Sequence, residues 1–170
     1  AMARVLYDEQ KQPFIIIIRY DNYGISDEVD SVTGLYTEPA LNRHITQLLD
    51  NTRPSALLKI GLDQFSHINV MYGAAFVDNI LNKVAQSLLH MVRNIGYAYR
   101  LSGAKFVLVF DKISKIELRD IFNFIEDALA NTITVNGKRI PIKISAGAIF
   151  LEPYMKETNA VRSRLTYAQN

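Results

Sequence analysis

The stretch Arg100-Leu101-Ser102-Gly103-Ala104-Lys105-Phe106 decides the fold, because it places a turn of small residues between two apolar segments. Tyr97 and Tyr99 come before the turn, and the apolar run from Phe106 to Phe110 follows it. This pattern predicts a β-hairpin with a Ser-Gly tip, a place where the backbone can approach a ligand closely.

Helices and strands alternate along the chain on both sides of this hairpin. Apolar side chains at helical spacing predict helices over residues 38–50, 74–93 and 115–130, and a short final helix over 158–169. Apolar or β-branched runs predict strands over 13–20, 55–62 and 143–151, and Asn136-Gly137 predicts a second hairpin. The order predicts an α/β (α+β) fold with a mixed central sheet covered by helices, preceded by a short β-hairpin of residues 4–9 with 13–20.

Composition limits the function classes. The 170 residues are 49% hydrophobic, enough for one well-buried domain, and the net charge of +2 includes no basic run, so no nucleic-acid partner is expected. There is no cysteine, which excludes disulfides and thiolate metal sites. No apolar run approaches the roughly 20 residues that span a bilayer. A cytoplasmic module without membrane contact is therefore expected.

Three motifs together resemble the GGDEF domains, the diguanylate cyclases. They are Asp30-Ser31-Val32-Thr33-Gly34-Leu35, Asp63-Gln64-Phe65-Ser66-His67-Ile68-Asn69 and the hairpin itself. The resemblance extends from about residue 30 to the C-terminus and implies the palm-like core of nucleotide cyclases. The hairpin of that family carries two glycines, two acids and a phenylalanine, whereas this chain has Ser102-Gly103-Ala104-Lys105-Phe106.

The resemblance also implies that the metal-binding acids are missing. Diguanylate cyclases hold divalent cations with two acids, and the matching positions here are Gly61 and Ala104, while Lys105 replaces the second hairpin acid. We therefore expect a degenerate, catalytically inactive domain with no resident cofactor, and we do not expect Mg²⁺ to bind with GTP. Asp63 is left either as a weak metal ligand or as a cap of the following turn.

Guanine recognition is a separate expectation. Family members read the base with an Asn and an Asp nine residues later, and Asn69 and Asp78 match both positions. Phe65 and Ser66 complete the nucleotide-binding candidates, with Ser66 at the position of a family lysine. Asp78 has a second interpretation, as an acid in the first turn of its helix. Arg93 is a remnant of the family's inhibitory Arg-x-x-Asp site, whose acid has become Gly96.

The resemblance implies a longer, composite parent protein. Residues 1–29 are interpreted as the end of a preceding PAS-type sensor domain plus a linker, and residues 30–170 as the degenerate GGDEF domain, with an EAL phosphodiesterase domain after it. Three functions stay open: an inactive regulatory or dimerisation module, a GTP-binding allosteric domain that controls the EAL domain, and an active cyclase with relocated ligands such as Asp63 with Asp111. The expected partners are the flanking domains, a second copy and GTP.

Overall fold

A two-stranded hairpin opens the chain. The structure is a computed structural model and describes residues 2–7, 13–18, 28–49, 55–63, 65–151, 161 and 164. Strand β1 (Met2–Tyr7) pairs antiparallel with β2 (Pro13–Ile18), as the sequence predicts. Most of the predicted final helix, residues 158–169, lies outside the described residues.

A four-stranded antiparallel sheet forms the centre of the domain. Its strands, in spatial order, are β4 (Gly96–Arg100), β5 (Lys105–Asp111), β3 (Ser55–Leu62) and β8 (Ile144–Leu151). Strand β3 is apolar almost throughout and is flanked on both sides, which explains why nearly all of it is buried. The only parallel pairing in the described part of the chain is the isolated bridge between Tyr36 and Tyr99, so the sheet is mixed through that bridge alone.

Helices cover both faces of the sheet. They are α1 (Glu38–Leu49), α2 (Phe65–Tyr72), α3 (Ala74–Val92) and α4 (Lys115–Thr132), and a small hairpin, β6 (Thr134–Val135) with β7 (Lys138–Arg139), follows α4. Ile80 of α3 and Ile125 of α4 belong to a core that includes Phe106 of β5, whereas Leu41 of α1 packs in a second core with Val107. The predicted fold class is confirmed.

Two local features differ from the sequence-based expectation. Residues 65–72 form a helix of their own, α2, which the sequence did not predict because it is short and none of its side chains is fully buried; only Phe65 and Ile68 pack partly against the core. Asp78 is the fifth residue of α3, so the expectation that it lies in the first turn is wrong. No described helix is both long enough and apolar enough to cross a membrane.

An ion pair connects the turn before α1 to the hairpin formed by β4 and β5. The Asp30 carboxylate accepts hydrogen bonds from the Thr33 amide (2.8 Å) and hydroxyl (2.6 Å), and Arg100 Nη1 donates to it at 3.1 Å. Nη2 of Arg100 donates to the carbonyl of Gly103 at 2.6 Å, at the hairpin tip. The Thr33-Gly34-Leu35 turn therefore has an architectural role, and the ion pair connects it to the hairpin.

This ion pair makes the stability of the domain depend on pH. Burial raises the pKa of Asp30, but the hydrogen bonds from Thr33 and the charge of Arg100 outweigh it, so the pKa is lowered overall. A lowered carboxyl pKa stabilises the fold above the unfolded-state value, and that contribution is lost as the pH falls through the folded-state value. We expect Asp30→Asn to lower the free energy of unfolding at pH 7 by about 1.5 kcal/mol.

Urea unfolding at a series of pH values tests this expectation. The difference between the wild type and Asp30→Asn should shrink as the pH falls below about 5, because the unfolded chain binds the proton first and the folded carboxyl, whose pKa is lowered, binds it only at lower pH. A difference that stays constant down to pH 3 would show that the charge of Asp30 does not contribute.

Candidate functional site

A cleft of about 510 Å³ opens where strand β3 ends beside the hairpin tip. We call it the hairpin cleft, and its lining residues come from β3, α2, α3 and the β4–β5 hairpin: Gly61, Leu62, Phe65, Ser66, Asn69, Val77, Leu81, Arg100, Gly103, Ala104 and Lys105. Its wall therefore combines two of the three motifs singled out in the sequence, the segment from Asp63 to Asn69 and the hairpin. Gly103, at φ 68°, allows the hairpin to turn tightly at this point.

The two positions that lack acids lie side by side in this cleft. Gly61 of β3 pairs directly with Lys105 of β5, and the amide of Leu62 donates to the carbonyl of Ala104 at 3.0 Å. Directly paired residues point to the same face of a sheet, so Lys105 projects beside a position that has no side chain. Lys105 is thus next to Gly61, one of the two positions where the resemblance leads us to expect a metal-binding acid.

The side chains that line the cleft do not fit a divalent cation. Mg²⁺ is bound through carboxylate oxygens, and the described lining residues include two cations and no acid. No group of three or more His, Cys, Asp or Glu side chains in the described part of the chain is arranged to hold a metal. The donor chemistry of the cleft thus disagrees with a metal site.

A second lysine lies on the same strand as Gly61. Lys59 lies two residues before Gly61 on β3, so the two positions share a face of the sheet, and the Lys59 residue is only 5% exposed. Burial lowers the pKa of Lys59, and the positive charge of Lys105 lowers it further. Sequence reasoning missed Lys59, although a lysine inside an otherwise apolar central strand is a visible signal.

Asp63 lies at the end of β3 and is hydrogen-bonded to the neighbouring strand β8. Its carboxylate accepts a hydrogen bond from the Ser145 hydroxyl at 2.6 Å, and its amide donates to the carbonyl of Lys143. Asp111 pairs with Ser55 at the opposite end of β3, roughly 25 Å away at about 3.3 Å per residue. The suggested shared metal site of Asp63 and Asp111 is therefore wrong.

The nucleotide candidates divide into two groups. Phe65, Ser66 and Asn69 all line the hairpin cleft. Asp78 is exposed on α3 and is not among the lining residues, because Val77 takes that position. Val77 narrows the apolar side of the cleft, whereas Phe76 stacks on Tyr72 with ring centroids 4.7 Å apart and does not line the cleft.

Comparison with known proteins identifies the family. The sequence model described as "Diguanylate cyclase, GGDEF domain" matches residues 27–166. The chain belongs to the GGDEF domain family. The diguanylate cyclase DosC of Escherichia coli (strain K12) is 32% identical to this GGDEF domain over 97 residues, which cover 56% of this chain and 21% of DosC. The chain thus spans about a fifth of the length of this curated relative.

Solved structures share the fold of this GGDEF domain. The GGDEF domain of FimX from Pseudomonas aeruginosa superposes with a TM-score of 0.75 at 19% identity, covering 84% of this chain and 91% of that one. The coiled coil and GGDEF domain of DgcB from Caulobacter crescentus, in complex with c-di-GMP, gives a TM-score of 0.76 at 17% identity, covering 84% and 78% of the two chains. These likenesses establish the fold of the domain.

Arg93, which the resemblance led us to interpret as the remnant of an inhibitory site, lies in a different cavity of the GGDEF domain. Arg93 and Gly96 line a space of about 710 Å³ together with Tyr97, Asp111 and residues of α4. Arg93 is the C-cap residue of α3, a position where the helix dipole favours a cation. A Cβ atom on Gly96 would stand 2.4 Å from the carbonyl oxygen of Val109, so the backbone of β5 closes the space that an acidic side chain needs.

Proposed function

We propose that this GGDEF domain does not synthesise cyclic di-GMP and serves as a regulatory or dimerisation module in cyclic di-GMP signalling. One observation carries the proposal: Gly61 and Ala104 lie together in the hairpin cleft, and Lys105 is paired with Gly61. A module of this kind transmits a conformational preference instead of carrying out a reaction.

The physical argument concerns charge in the cleft. Joining two nucleoside triphosphates creates negative charge on the attacking hydroxyl and on the departing pyrophosphate, and the family neutralises it with divalent cations. At the matching positions this chain offers no carboxylate, and it places the ammonium of Lys105 within the same cleft. Like charges repel in a partly desolvated site, so a cation is disfavoured there.

The partners that we propose follow from the resemblance to composite signalling proteins. They are a sensor domain before residue 30, an EAL phosphodiesterase domain after the GGDEF domain, and a second copy of the chain. The ion pair between Asp30 and Arg100 supports a role in transmission, because it connects the start of the domain to the hairpin cleft.

A second candidate is a GTP-binding allosteric domain that controls the neighbouring phosphodiesterase. Asn69 favours it, because an amide that offers both a donor and an acceptor lines the cleft beside Ser66. The cavity of about 510 Å³ lies within the range typical of small-molecule sites.

A cyclase assay tests the absence of turnover. We expect no cyclic di-GMP after incubation of the protein with GTP and either Mg²⁺ or Mn²⁺, analysed by product chromatography, because the cleft lacks the acids that seat the metals. A catalytically competent GGDEF protein assayed in parallel serves as the positive control. Product that accumulates in proportion to the amount of this chain would overturn the proposal.

A further inference from the structure

We propose that the hairpin cleft binds the phosphates of a guanine nucleotide without a divalent cation, with the ammonium group of Lys105 supplying the positive charge. This inference rests on the second candidate function, nucleotide binding by the cleft, and specifies its chemistry. The ligand class is a metal-free nucleoside di- or triphosphate.

The distribution of charge around the cleft carries the inference. Among its described lining residues the two cations are Arg100 and Lys105, and none is an acid. Arg100 is balanced by Asp30 at 3.1 Å and also donates to the carbonyl of Gly103. Lys105 is exposed at the rim and provides the positive charge that a phosphate would meet. A cleft of this composition attracts anions.

The register of the sheet fixes where this charge lies. Lys105 begins β5 directly opposite Gly61, and Ser145 of β8 is paired with Gly61 on the other side. Gly61 has no side chain, and the Lys105 side chain points to the same face of the sheet next to it; both residues line the cleft. Asp63, the nearest acid in sequence, is bonded to Ser145 on the β8 side.

Lys59 lies close enough to Lys105 to be influenced by its charge. It is almost completely buried on the same face of β3 as Gly61, and its pKa is lowered by burial and then by Lys105. Lysine binds phosphate as a compact point charge, without the fixed geometry that a bridging metal requires.

The remaining polar groups of the cleft suit the other parts of a nucleotide. Ser66, at the start of α2, offers a hydroxyl to a phosphate, and Asn69, one turn further along the helix, offers an amide to the base. Residues three apart on a helix face the same side, so both can address one ligand.

The inference predicts that magnesium weakens binding. Mg²⁺ neutralises part of the triphosphate charge, so the Mg²⁺ complex of GTP should interact less strongly with Lys105 than free GTP does. We expect calorimetry to give about fivefold tighter binding of GTP in EDTA than in excess Mg²⁺. Lys105→Gln should remove most of this difference, whereas Lys83→Gln, an exposed lysine of α3 outside the cleft, should keep it.

Two further measurements separate the inference from the function on which it rests. Guanosine, which has no phosphates, should bind Lys105→Gln and the wild type equally, and Asn69→Ala should weaken both guanosine and GTP. If Mg²⁺ strengthens GTP binding, or if Lys105→Gln binds GTP as the wild type does, the inference is wrong although the cleft still binds a nucleotide. If neither GTP nor guanosine binds, nucleotide binding and the inference fail together. Thermal unfolding of each variant verifies that it is folded.

Discussion

Replacing Gly96 by aspartate will lower the free energy of unfolding by about 3 kcal/mol, because the new Cβ atom meets the backbone of the neighbouring strand. That atom would lie 2.4 Å from the carbonyl oxygen of Val109 and 2.9 Å from Cδ1 of Phe110. Phe110 is among the largest fully buried side chains, so it has little room to move aside. Urea unfolding followed by circular dichroism measures the loss.

Asn94→Asp provides the matched control, because Asn94 is exposed in the turn between α3 and β4 and gains the same charge. Its free energy of unfolding should stay within about 0.5 kcal/mol of the wild type. If Gly96→Asp unfolds at the same urea concentration as this control, the backbone of β5 and the Phe110 ring can move aside at little cost, and the prediction is wrong. If the loss is observed, an acidic side chain cannot be introduced at Gly96 by a single substitution without a cost in stability.

The second large effect is the creation of a metal site. We expect the triple variant Gly61→Asp, Ala104→Asp and Lys105→Glu to bind Mn²⁺ at least about tenfold more tightly than the wild type in the presence of GTP. The three positions adjoin one another in the hairpin cleft, so the new carboxylates replace an ammonium with oxygen ligands. Electron paramagnetic resonance of free Mn²⁺ gives the bound fraction directly.

The neutral variant Gly61→Asn, Ala104→Asn and Lys105→Gln has side chains of nearly the same shape without the negative charges. It removes the repulsion by Lys105 but adds no carboxylate, so Mn²⁺ should bind it only weakly. Equal Mn²⁺ affinity in the charged and neutral variants would mean that something other than carboxylate charge governs metal binding in this cleft.

Much of the fold is visible in the sequence because its elements carry strong local signals. The helix predicted over residues 74–93 is observed as Ala74–Val92, and the strand predicted over 55–62 is observed as Ser55–Leu62. Both are long and have a regular burial pattern, which is what hydrophobic periodicity detects. The signature hairpin was equally predictable from its small-residue tip between apolar strands.

The site was less predictable because its contacts join distant parts of the chain. Asp63 meets Ser145 across 82 residues, and Arg100 meets Asp30 across 70, so no local pattern marks either pair. The shared Asp63 and Asp111 site failed for the same reason: only the register of β3 with β5 places Asp111 at the far end of the strand. Helix α2 escaped prediction because its Val70 and Met71 are exposed, which removes the periodic signal.

The contacts of Arg100 have a mechanical consequence. This one guanidinium joins Asp30, where the domain begins, to the Gly103 carbonyl at the hairpin tip, and the amide of Arg100 also donates to the carbonyl of Tyr36 at 2.7 Å. If residues before Asp30 move, the hairpin tip must therefore move with them or the ion pair must break. Through this side chain, a displacement at the start of the domain reaches the rim of the cleft directly, without passing through the sheet.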